Sequence, residues 1–172
     1  MLTLLYRAAA TWTAIGLASG LFYREFTKLN GVPGGTQLAV VHTHALVLGT
    51  VISLVLLALV GVWRDLGSSR PLRAGVWVWQ AGLAVTTGGM LVKGCLQVLG
   101  NDSANSPALA GVSGSGHIAL TVAFILLFVA LRRTVRSAGA TAGPTASTSA
   151  PDASAASTLS AASTLSAASV EG

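Results

Sequence analysis

The stretch LAVVHTHALVLGTVISLVLLALVGVW, Leu38–Trp63, runs for 26 residues without a charged side chain. A hydrocarbon core of about 30 Å needs roughly 20 helical residues, so this stretch reads as a membrane-spanning helix. It holds two of the three histidines of the chain, His42 and His44, and the third, His117, lies in another apolar run. Imidazoles are costly in lipid and are expected to face a bundle interior, so the three mark a candidate site.

Three further stretches, Leu4–Tyr23, Ala74–Leu99 and Pro107–Leu131, are also long and apolar enough to span. The breaks are Arg24–Gln37, Arg64–Arg73 and Gly100–Ser106, each with turn residues or charge. Ser106 and Pro107 make a helix start, with Ser106 as N-cap and Pro107 at the first helical position. The expected fold is all-α: a multi-pass transmembrane four-helix bundle over residues 1–133, with spans at about 4–23, 38–63, 74–99 and 107–131.

Composition agrees. Of 172 residues, 52% are hydrophobic and 9% charged, against about 25% charged in a soluble domain. The net charge of +5 comes from residues that punctuate the apolar runs, as topology signals do, which argues against a nucleic-acid partner. Cys95 is the single cysteine, so neither an intramolecular disulfide nor a CxxC site can form. Residues 134–172 turn to Ala, Ser, Thr and Pro and repeat AASTLS at 155–160 and 161–166. With too little apolar bulk to offset ordering entropy, this segment is expected to be a disordered cytoplasmic tail.

Seven of the ten basic residues (Arg7, Arg64, Arg70, Arg73, Arg132, Arg133, Arg136) fall on one side of the four-span topology. Arg24, Lys28 and Lys93 fall on the other. The positive-inside rule then places both termini in the cytoplasm of a bacterial inner membrane, with Trp63, Trp77 and Trp79 in the cytoplasmic interfacial belt. A cleaved signal peptide ending near Ala18-Ser19-Gly20 is the weaker reading, because Phe22-Tyr23 continue the apolar run.

With this topology His44 lies about 10 Å, and His117 about 15 Å, from the outer ends of helices that run in the same direction. The two imidazoles can therefore meet across the bundle, as axial ligands of a haem b iron do, or as ligands of a metal such as copper. His42 is about 200° around the helix from His44 and cannot share its face; it is a partner of the site, a second site or an interfacial residue. Lys93, with Gln97 one turn further on, and Arg24 lie in the outer half and offer cations to haem propionates. Snorkelling to the headgroups explains Lys93 equally well. Gly16-x-x-x-Gly20 and the glycines before His117 point to close helix packing, and those of the second set also to a surface for a flat macrocycle. Met90 is an axial-ligand candidate or a gap filler. No phosphate loop, no acidic pair within the spans and no buried acid behind a Ser–His pair is present, so no reaction is assigned.

The runs Gly20–Gly31, Gln37-Leu38 with His42–Gly49, and Gly114–Ile118 resemble a family of small bacterial four-helix membrane proteins, a domain of unknown function. The similarity covers about Tyr6 to Leu131 and implies architecture but no activity. The His-x-His followed five residues later by glycine is also faintly similar to haem-copper oxidase subunit I-like proteins. That similarity implies His42 or His44 as a haem or copper ligand.

Two functions from different classes are expected. One is a haem- or metal-binding redox or sensing protein with a membrane redox partner. The other is a cofactor-free accessory subunit or small transporter, acting as a homo-oligomer, with structural or proton-handling histidines.

Overall fold

A computed structural model describes residues 1–141 of the chain, with side chains to residue 139. Met1–Ser137 forms one compact unit, and it carries the candidate site. The described residues form helices and turns and no strand. In chain order these are α1 (Leu2–Leu29), α2 (Leu38–Val62), the short α3 (Arg64–Ser68), α4 (Arg70–Val98), a 3-10 turn (Asp102–Asn105) and α5 (Pro107–Thr141).

Local chemistry sets the boundaries. At the end of α1, Gly31 takes φ +66°; its N–H donates to Lys28 O and that of Val32 to Thr27 O. The end of α4 repeats this pairing at Gly100, with Gly100 N–H to Gln97 O and Asn101 N–H to Leu96 O. Both are glycine-terminated caps that satisfy the last carbonyls. Ser69 accepts from Leu72 N–H at the start of α4, and Ser106 from Leu109 N–H at the start of α5, both at 3.4 Å.

Three helices are long and apolar enough to cross a membrane: α2, α4 and α5. The expected span Leu4–Tyr23 is not among them, because Arg7 and several threonines, serines and glycines dilute the apolar content of α1. The outward faces stay apolar all the same. Leu17, Leu21, Leu54, Ile118, Ile125 and Phe128 are all exposed, as a lipid-facing surface requires.

Two expectations need correction, and one feature was not expected. The segment expected to be disordered from residue 134 is helical to Thr141; Ala138 and Ala140 are strong helix formers that extend the span beyond Leu131. Residues 142–172, including the AASTLS repeat, lie outside the described residues. Trp79 is not an interfacial residue. It is 1% exposed, meets Phe124 edge-on at 4.4 Å and donates from Nε1 to Leu48 O at 3.1 Å. Finally, Ala45–Val51 within α2 is a π-helix. Ile52 N–H reaches Val47 O, five residues back, and the return to α spacing leaves the next carbonyl free for the Trp79 indole.

Glycines govern the helix approaches. Gly75, Gly82 and Gly89 recur every seven residues on α4 and meet Leu126–Leu127, Ala119–Leu120 and Ser113 of α5. Gly116 faces Thr86 so closely that a Cβ would lie 2.8 Å from its backbone nitrogen. Gly94 faces the Leu38 backbone, Gly49 takes the Trp12 ring, and Gly16 and Gly20 of α1 face Leu46 and His42. The larger core gathers Leu5, Trp12, Leu56, Leu72, Trp79, Leu83 and Leu127 among others. A smaller one holds Leu38, Val41, Met90 and Val98.

Gly94→Ala is expected to destabilise the protein by about 1–3 kcal/mol, the usual penalty of forcing atoms into a packed contact. Gly111→Ala, whose new methyl meets open space, should be neutral or slightly stabilising through alanine's helix preference. Unfolding in mixed detergent–SDS micelles measures both; equal losses would contradict this packing.

Candidate functional site

The site is built where α2, α4 and α5 come together beside the smaller core. Gly94 lets α4 touch the first residue of α2, and Gln97 Oε1 accepts from Gln37 N–H at 2.7 Å. That bond fixes the start of α2 and with it the depth of His44. Gly116, seated on Thr86, fixes the next residue, His117.

The two rings meet. His44 and His117 have centroids 6.4 Å apart and planes at 81°. They line a cleft of about 510 Å³ with Gln37, Val40, Met90, Lys93, Ala110, Ser113 and Gly114, within the usual size range of ligand sites, about 300–1,000 Å³.

Each imidazole is oriented by its own helix. His44 Nδ1 lies 3.0 Å from Val40 O, and His117 Nδ1 lies 3.0 Å from Ser113 O. A carbonyl only accepts, so Nδ1 carries the hydrogen in the neutral ring and Nε2 keeps its lone pair. The same Nδ1–H to carbonyl bond orients metal-ligating histidines and makes them more basic. Both rings are thus prepared as Nε2 donors.

The distance suits a shared ion. A metal bonded at about 2.0–2.1 Å to two opposed Nε2 atoms, each roughly 1.1 Å from its ring centre, sets the centres about 6.3 Å apart. The wall is also suited to a flat ligand, since Gly114 beside His117 faces open space.

The other candidate residues divide clearly. Lys93 lines the cleft, so its ammonium is available to an anionic group there. His42 points the other way: its Cβ packs over Gly20 of α1, and its Nδ1 is buried without a hydrogen-bond partner. Arg24 is on α1, away from the cleft lining, exposed and paired with Glu25 at 3.6 Å. Met90 lines the cleft and also packs in the smaller core. Among the described residues, no group of three or more His, Cys, Asp or Glu gathers as a metal site.

A family model described as a protein of unknown function, DUF2871, matches residues 2–134. The chain belongs to that family. Its match takes in α1, α2, α4, all three histidines and most of α5. No curated protein and no solved structure matches the chain.

Sequence reasoning did not find the backbone carbonyls of Val40 and Ser113, which no residue pattern marks. Nor did it find the Gly75, Gly82, Gly89 repeat, which was readable as a seven-residue period. With ¹⁵N-labelled histidine and no added ligand, the neutral rings of His44 and His117 should show protonated Nδ1 in NMR spectra. Protonated Nε2 on either ring would contradict the orientation described here.

Proposed function

We propose that this DUF2871 protein is an integral membrane protein that binds haem b between His44 and His117, in a redox or sensing role. The observation that carries the reading is the pair itself: two Nε2 donors, oriented by their own helices, with ring centres 6.4 Å apart across a cleft. Lys93 is the cation in reach of a propionate, and the bare backbone at Gly114 takes the macrocycle face. Bound there, haem would supply one-electron chemistry, with His44 and His117 as the residues that would hold its iron. Copper in its place would have two imidazoles and, among the described residues, no third protein ligand of the His, Cys, Asp or Glu type beside them.

The same reading takes α1 as a fourth span, completing a four-helix bundle in a bacterial inner membrane with both termini cytoplasmic. The basic residues Arg7, Arg64, Arg70, Arg73, Arg132, Arg133 and Arg136 support that orientation. Residues 142–172 form a disordered tail in this reading, and the electron partner is another membrane protein or a second copy. A cofactor-free accessory subunit or small transporter is the second reading. It rests on His42, a half-buried imidazole at the α1–α2 seam whose Nδ1 is buried with no hydrogen-bond partner among the described residues, where a proton-handling group would sit.

Purified in mild detergent from haem-replete cells, the protein should show a Soret band and a sharp α-band on dithionite reduction. His44→Ala and His117→Ala should each lose the reduced α-band, and His42→Ala should keep it. Colourless wild type, or an unchanged spectrum in His44→Ala, would overturn the haem reading. Proton flux in liposomes that His42→Ala abolishes would then establish the second.

A further inference from the structure

We propose that the seam between α1 and α4 is a binding groove for an anionic phospholipid, with Arg7 taking the phosphate and the apolar wall beyond it taking one acyl chain. It shares no lining residue with the histidine cleft, so it stands whether or not haem binds.

The seam is open because α1 packs on α2 through Gly16 and Gly20 and leaves a gap to α4. Across it, Trp12 Nε1 donates to Gln80 Oε1 at 2.6 Å. Two cavities, of about 410 and 250 Å³, follow one another along the seam and share Trp12, Ile15 and Ala84 as walls. The first is entered beside Arg7 and Trp77, and the second ends near Ser19 and Leu91. Gly88, in the wall of the second, faces open space, so nothing closes the groove there.

Charge and length name the occupant. Arg7 is exposed and, among the described residues, has no carboxylate within salt-bridge distance; the ion pair there is Arg24–Glu25. The indole N–H can only donate, so the Gln80 oxygen is occupied and its NH₂ remains to donate to an ester or phosphate oxygen. Trp77 at the mouth is exposed, as an aromatic at headgroup level is. From Arg7 to Ser19 the helical rise gives roughly 18 Å, close to the ~15 Å that one leaflet contributes to the hydrocarbon core. Basic pockets between membrane helices suit anionic headgroups.

The test reconstitutes the full-length protein in bilayers of equal phosphatidylglycerol and phosphatidylcholine, extracts it gently and counts retained lipid by native mass spectrometry. Wild type should retain phosphatidylglycerol over phosphatidylcholine by about fivefold, the weight of one basic residue at a membrane surface. Arg7→Gln should bring the two to parity, and Arg7→Lys should keep the preference. Ala84→Trp, which fills the shared wall, should lose both lipids. A preference that survives Arg7→Gln, or wild type without one, overturns the proposal. An arm without variants uses tryptophan fluorescence: brominated phosphatidylglycerol should quench it more than brominated phosphatidylcholine at equal fraction, because Trp12 and Trp77 line the groove. Equal quenching overturns it too.

Discussion

Backbone contact through glycine is the constraint on which the rest of the molecule depends. Lipid supplies no hydrophobic force to press helices together, so close van der Waals contact has to do it. Gly75, Gly82 and Gly89 bring α4 against α5, Gly116 seats α5 on Thr86, and Gly94 seats α4 on Leu38. These contacts leave each helix little freedom to slide. His117 follows Gly116 directly, and His44 lies less than two turns beyond Leu38. The 6.4 Å between the two rings is thus set by glycines that never touch the cleft.

Polar groups add direction to that frame. Each cleft histidine has a hydrogen-bond partner for its Nδ1 within its own helix. Its other nitrogen is left pointing away from the backbone ladder. The π-helix of α2 begins at Ala45, immediately after His44, and its far end is closed by the Trp79 indole on Leu48 O. Departures from α spacing are frequent beside functional sites. This one lies between His44 and the core that carries Trp12, Trp79 and Phe124.

Much of this was legible in the sequence. The spans of α2, α4 and α5 follow from length and apolar content, and the start of α5 at Ser106 from cap chemistry, whereas α1 runs on to Leu29, past the expected end of its span at Tyr23. Counting residues inward from the helix ends placed His44 and His117 at similar depths. What was not legible depends on neighbours. Trp77 and Trp79 are the same residue type, but Trp79 meets Phe124 and is buried while Trp77 is exposed. His42 and His44 are equivalent in composition; only the position of Gly20 of α1 shows which ring lies on that seam. Arg24 is near the outer end by counting, yet α1 does not line the cleft, and Glu25 is its partner. No residue preference marks a π-helix, so the one in α2 was invisible.

The most direct test of the proposal that His44 and His117 would hold a haem iron between them is low-temperature electron paramagnetic resonance of the oxidised, haem-loaded protein. Imidazole planes near 81° would leave two d orbitals of a bound iron almost equal in energy. The account therefore predicts a highly anisotropic low-spin ferric signal. A high-spin signal, from iron with one histidine or none, would contradict it.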